Sequence, residues 1–340
     1  MLSTSLDLDQ NGFQKGYIDV PVSLNHSAWS NQRVPIFCLK NGDGPTLLLL
    51  GGCHGDEYEA PIALSKLLHG GLDLENLTGR VIVLPAMNPA AVQCGTRLSP
   101  LDGGNMNRAF PGNPRGSATE RIADFISREL ISRADVVLDL HSGGRSLMFK
   151  PCTIVPMQAT PAATQEIMEL ANAFAAPMMV VLREPQVETM IDTEVEKQGK
   201  RILATELGGS GIVTAETVTI TRKGILGVMR VMGLLAPASP VDGEKPPAST
   251  PSETVYVDGL HHYIYADDHG IFEPSAGVGM PVSKGEPIGF LHFADRVDIA
   301  PKPIFAGTGG VLFCSAGQGL VRRGDVLAVI GHTAPPPELV

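Results

Sequence analysis

The sequence predicts an α/β protein: a sheet with parallel βαβ units flanked by helices, followed by a smaller all-β segment. Three observations carry this expectation. Short apolar runs such as Leu47–Leu50 and Val81–Leu84 end abruptly at glycine or proline, as strands buried on both faces do. Between them apolar residues recur at helical spacing (Ile62, Leu64, Leu67, Leu68), so the order is strand, helix, strand. Beyond residue 252 the apolar segments are short, separated by glycines and without helical period.

The chain has 340 residues, room for one large domain or two. Its formal net charge of -10, with no basic block, argues against nucleic acid as a partner. No run of some 18 apolar residues exists, so no membrane span is expected. Residues 1–10 are polar and acidic and lack the regions of a signal peptide. Five scattered cysteines without a Cys-x-x-Cys pair suggest reduced thiols and a cytoplasmic setting. A homo-oligomer is compatible with the sequence, which does not fix the oligomeric state.

In order, Gly16–Val20 and Val34–Leu39 read as edge strands, rich in β-formers. The turn signal Asn41-Gly42-Asp43-Gly44 leads into the four leucines, and Gly51-Gly52 lets the backbone turn at the strand's end. His54 and Glu57 then lie three residues apart at a strand-to-helix junction, where α/β sheets bind ligands. A capped helix start with a solvated Glu would account for the pair equally simply. A strand over Arg80–Pro85 follows, then a long irregular stretch from Asn88 to Pro114. Loops this long in compact domains are usually functional. Its only cations are Arg97 and Arg108, whose planar guanidinium suits carboxylates and oxyanions.

Ser117 or Thr119 caps the next helix, with Ile122, Phe125, Ile126 and Leu130 as its apolar face. Ala134–Leu140 repeats the opening pattern, an apolar strand running into His141-Ser142-Gly143-Gly144. His54, Glu57 and His141 thus make up the His₂Glu set of a catalytic zinc site, each at the end of a strand. Asp139, two residues back on the same face, is placed to orient a ligand histidine. A helix over Ala162–Ala176 and a strand over Met178–Leu182 precede an acidic stretch, residues 183–200, expected to be irregular and solvated. The strand Arg201–Thr205 ends in Glu206 beside another glycine-rich turn. Its apolar neighbours favour a raised pKa, as a general base near neutrality requires. A helix over Val218–Leu235 closes the segment.

Composition therefore divides the chain into a catalytic α/β domain (1–236), a Pro/Ser/Ala-rich linker (237–252), a β-domain (253–332) and a flexible tail (333–340). His261, His262, Asp267, Asp268 and His269 are close enough in sequence for a second metal cluster; a polar hairpin explains them as well.

Four motifs in this order carry a resemblance: Gly-Gly-x-His54-Gly-Asp-Glu57, Asn107-Arg108-x-Phe-Pro-Gly, Asp139-Leu-His141-Ser-Gly and Thr205-Glu206-Leu-Gly. Together they resemble the succinylglutamate desuccinylase/aspartoacylase family, and the resemblance covers nearly the whole chain. Segments 51–64 and 99–108, with Asp192-Thr193 and Glu196, are most similar to its N-acetyl-diaminobutyrate deacetylase branch. The resemblance implies a carboxypeptidase A-like mixed sheet flanked by helices, with a C-terminal all-β domain. It implies one zinc per chain on His54, Glu57 and His141, and Glu206 as catalytic acid/base. It further implies that Asn107 and Arg108 bind the substrate carboxylate and that Arg97 polarises the scissile carbonyl. The expected reaction is hydrolysis of a small N-acyl amino acid. Asp192, ahead of Glu206, is expected to pair with the side-chain ammonium of N-acetyl-diaminobutyrate. An acidic N-acyl amino acid, a peptide C-terminus, or a non-enzymatic metal-binding carrier role are the alternatives.

Overall fold

A computed structural model describes residues 2–25, 27–183, 188–236 and 252–335. Residues 237–251 of the expected linker (237–252), the end of the tail (336–340) and Glu184 of the acidic run lie outside the described residues.

The elements run β1 (Gly12–Leu24), β2 (Ser27–Asn41), β3 (Thr46–Leu50), α1 (Glu59–Lys66), β4 (Gly79–Leu84) and α2 (Pro89–Cys94). Then come α3 (Ala118–Phe125), β5 (Val136–His141), β6 (Leu147–Phe149), β7 (Cys152–Pro156), α4 (Pro161–Phe174) and β8 (Met178–Leu182). They are followed by α5 (Ile191–Lys197), β9 (Arg201–Glu206), α6 (Ala215–Val231) and β10 (Glu253–Val257). The last strands are β11 (Tyr263–Tyr265), β12 (Gly270–Pro274), β13 (Met280–Val282), β14 (Pro287–His292), β15 (Lys302–Phe305), β16 (Gly310–Ala316), β17 (Leu320–Val321) and β18 (Val326–Gly331).

Nine strands form one mixed sheet in the order β1-β2-β4-β3-β5-β9-β7-β8-β10. The centre, β4-β3-β5-β9, is parallel, while β1, β2 and the β7–β9 pair are antiparallel. Successive leucines of β3 explain why this strand is central. Leu47 and Leu49 enter a core that includes residues of α1, α4 and α6; Leu48 and Leu50 enter the opposite core with residues of α3. All four are fully buried. Each contributes roughly 1.5–3 kcal/mol by leaving water. Ser117 caps α3 reciprocally with Glu120, satisfying two backbone donors at the helix start. This mixed sheet flanked by helices, with antiparallel sheets toward the C-terminus, matches the expected fold class.

Three local expectations differ. The acidic stretch contains the helix α5, and Glu194 is buried there, accepting from Ser127 Oγ at 2.6 Å and Gln198 Nε2 at 2.6 Å. Helical spacing brings Ile191 and Val195 to one buried face, and that apolar pair outweighs the charge run. Strands β6 and β7 went unassigned, because β6 is short and prolines flank Cys152–Val155. Finally, Glu253–Val257 does not begin a separate sheet: β10 is the edge strand of the large one, parallel to β8. In return β6 pairs with β16 of the C-terminal five-stranded sheet. A four-stranded sheet, β15-β14-β12-β17, completes that region. Among the described residues no helix is long and apolar enough to cross a membrane.

Candidate active site

The register of three central strands sets the site. Leu50 lies beside Asp139 across β3 and β5, and His141 beside Glu206 across β5 and β9. All three strands are parallel, so their carboxyl ends open on the same edge. Beyond β3 the chain turns at Gly52, whose φ of 61° is a left-handed conformation that costs other residues about 1 kcal/mol or more. Gly55 packs its Cα against the Ala91 carbonyl, leaving no room for a side chain. These two glycines bring His54 and Glu57 back over the sheet edge.

His54 is 1% exposed. Its Nδ1 lies 3.0 Å from the carbonyl oxygen of Arg97. A carbonyl only accepts, so Nδ1 carries the proton and Nε2 holds a lone pair. That Nε2 is buried without a hydrogen-bond partner among the described residues. Burial, then the positive neighbours His141 and Arg97, push the ring's pKa down to about 2, so it is neutral and able to ligate.

His141 is held from both sides, with Asp139 Oδ2 3.0 Å from Nε2 and Glu57 Oε2 2.9 Å from Nδ1. Burial disfavours its charged form, but the two carboxylates outweigh burial and raise its pKa well above 6.5. Asp139 thus has the orienting geometry expected of it. The same Glu57 oxygen accepts the backbone N–H of Ser142 at 3.2 Å, and burial raises the Glu57 pKa. Nitrogen and sulfur donors of Cys53, His54 and His141 lie within 4.8 Å of one another, with Glu57 against His141. This donor set fits a divalent cation: two imidazoles, one carboxylate, and an orphaned imidazole nitrogen aimed inward. Cys53, adjacent in sequence to His54, was not anticipated as a member of the group.

The site opens into a cavity of about 260 Å³ lined by His54, Glu57, Arg97, Asn107, Arg108, Asp139, His141, Asp192 and Glu206, among others. Every site residue expected from the sequence is therefore brought to this cavity. Glu206 is half-buried as a residue, but its Oε2 is sealed from water without a hydrogen-bond partner among the described residues. Burial first, and the negative Glu57 second, raise its pKa to about 8. Arg97 reaches Glu57 Oε1 at 3.6 Å while half exposed, and it lines the cavity. Asn107 and Arg108 sit on a 3₁₀ turn, and the Asn107 Oδ1 is buried without a partner among the described residues. Asp192 occupies the first turn of α5, and burial raises its pKa.

One wall was not foreseen. Tyr263, Phe313, Cys314, Val326 and Val329 line the cavity from the C-terminal strands, facing Leu147, Phe149, Ile154 and Leu182. Periodicity marks such residues as buried but cannot tell which cavity they bound. The proposed histidine–aspartate hairpin is also rearranged. Asp267 pairs with Lys302, and Asp268 with Arg296 and His269, whereas His261 and His262 gather with His332 from the end of the chain.

Residues 43–232 match the family described as the succinylglutamate desuccinylase/aspartoacylase catalytic domain. The N-alpha-acetyl-L-2,4-diaminobutyric acid deacetylase of Halomonas elongata is 40% identical over 331 residues, 97% of this chain and 95% of that protein. The crystal structure of a succinylglutamate desuccinylase/aspartoacylase from Rhodobacter sphaeroides is 40% identical with a TM-score of 0.89, covering 97% of this chain and 99% of the other. The product-bound ectoine utilization protein EutE (DoeB) from Ruegeria pomeroyi is 36% identical with a TM-score of 0.91, over 97% and 98% of the two chains.

Proposed function

This chain belongs to the succinylglutamate desuccinylase/aspartoacylase family of deacylating amide hydrolases, and from that premise we propose that it is a zinc-dependent deacetylase of N-alpha-acetyl-L-2,4-diaminobutyrate acting in ectoine breakdown. The observation that carries the substrate is the position of Asp192. It is a partly buried carboxylate in the wall of a cavity that also holds the His54–Glu57–His141 set and Glu206. Cationic Arg97 and Arg108 line the same cavity. A substrate with one carboxylate and one free ammonium complements these charges, whereas a second substrate carboxylate would meet Asp192. Likeness to the Halomonas elongata deacetylase and to the Ruegeria pomeroyi protein supports the same reading. Five free cysteines, four of them buried, support a cytoplasmic setting.

His54, Glu57 and His141 would hold the zinc, one per chain, with Asp139 fixing the His141 ring. When bound, zinc supplies positive charge that acidifies water and polarises the acyl carbonyl. Arg108, with Asn107, holds the substrate carboxylate. Arg97 stabilises the negative oxygen that develops on the acyl carbon. Glu206, its pKa raised toward 8, takes a proton from water as the water oxygen bonds to the acyl carbon. It returns that proton to the amide nitrogen as the C–N bond breaks, releasing acetate and the diamino acid. The test is a panel assay on the zinc-loaded enzyme. N-acetyl-diaminobutyrate is expected to exceed N-acetyl-aspartate, N-succinyl-glutamate and a C-terminal peptide in kcat/KM. Preference for either acidic substrate, or for the peptide, overturns the assignment.

A further inference from the structure

We propose that His261, His262 and His332, with Asp258, form a second site for a divalent first-row transition cation. It lies apart from the catalytic cavity, since none of the four lines it. The three imidazoles offer nitrogens within 4.8 Å of one another although His332 is seventy residues further along the chain. Ring centroids are 4.2 Å apart for His261–His262 and 4.6 Å for His262–His332.

His262 is the anchor. It is fully buried, and its Nδ1 lies 2.6 Å from the Ile330 carbonyl, which only accepts. Nδ1 therefore donates to Ile330, and Nε2 faces Asp258 Oδ1 at 2.8 Å, a contact that either a second ring proton or a shared cation must bridge. The same Asp258 oxygen lies 3.5 Å from His261 Nε2. A tetrahedral cation with bonds of about 2.0–2.1 Å keeps its ligands roughly 3.3 Å apart, between these two separations. His332 is fixed by paired backbone hydrogen bonds with Tyr256, at 2.8 and 2.9 Å, two residues before Asp258. A separate cavity of about 380 Å³ reaches Asp258 and His332 and gives a cation a way in. Imidazole and carboxylate together suit zinc, cobalt or nickel rather than calcium or magnesium. A cation here would clip the end of β18 to the turn between β10 and β11.

The test is metal stoichiometry on the untagged full chain, titrated with Co²⁺ and read by visible absorption and elemental analysis. About two cations per chain are expected, and about one in the His54→Ala/His141→Ala double variant. His261→Asn and His332→Asn should each reduce binding to about one while leaving deacetylase activity within about twofold. His261 is more than half exposed, so its variant tests the site even where His332→Asn does not fold. Absence of bound cation in the His54→Ala/His141→Ala double variant, or unchanged stoichiometry in His261→Asn, overturns the proposal.

Discussion

The carbonyl of Arg97 fixes which nitrogen of His54 carries the proton, 3.0 Å away across a separation of 43 residues. The loop that supplies a proposed oxyanion partner thereby also prepares a proposed zinc ligand. His54→Ala and His141→Ala should each lower catalytic zinc from about one per chain to near none at sub-micromolar free metal. The check is elemental analysis on chains also carrying His261→Asn, which isolates this site. Full zinc content in both variants would exclude these ligands.

Glu206→Gln keeps the shape and removes the base. We expect kcat to fall by about 10²–10⁴ with zinc content unchanged. A fall of less than about threefold would assign proton transfer to another group.

The same substitution reports on stability. In the metal-free chain the Glu206 carboxyl keeps its proton up to about pH 8, while in the unfolded chain it loses it near 4.5. Its contribution is thus full below the unfolded pKa and is lost as pH rises through about 8. Between pH 5 and pH 9, metal-free Glu206→Gln should gain on the parent by on the order of 1 kcal/mol or more in urea unfolding. A constant difference across that range would mean the carboxyl is not desolvated.

Arg108→Ala should lower kcat/KM on N-acetyl-diaminobutyrate by about ten- to a hundredfold, a charged hydrogen bond of roughly 1.5–3 kcal/mol. The substrate's carboxamide analogue should lose little more in the variant than it has already lost in the parent. If the parent takes amide and acid equally well, Arg108 has another role.

Asp192→Asn separates recognition from packing. The rate on N-acetyl-diaminobutyrate should drop about ten- to a hundredfold. N-acetyl-aminobutyrate, which lacks the ammonium, should be nearly unaffected. Equal losses on both substrates would mean that Asp192 supports α5 rather than reading the substrate.

The site was legible because it is built from strand ends. His54 comes just after an apolar run and its glycine pair, while His141 and Glu206 each end an apolar run just ahead of one, a local signal strong enough to read without a partner. Leu47–Leu50 likewise announced a strand buried on both faces. What stayed hidden depends on contacts between distant segments. The burial of Glu194 rests on Ser127, 67 residues away, and no charge pattern records such a partner. β10 reads as an ordinary short strand, and only its register with β8 shows which sheet it joins. The meeting of His262 with His332 depends on how β18 lies against β11, which spacing along the chain does not encode.

The exchange of strands, β10 into the large sheet and β6 into the C-terminal one, ties two lengths of chain that contribute different things. The proposed reacting groups come from residues 54–206, whereas Tyr263, Phe313, Cys314, Val326 and Val329 line the cavity a substrate would fill. Inheritance can therefore alter the two separately. Drift confined to the last eighty residues would retune which acyl amino acid fits while the hydrolytic groups stay untouched. A chimera carrying a relative's C-terminal strands on this chain's first 252 residues would have to match two seams, at β8 and at β6, before it could inherit that relative's taste in substrate.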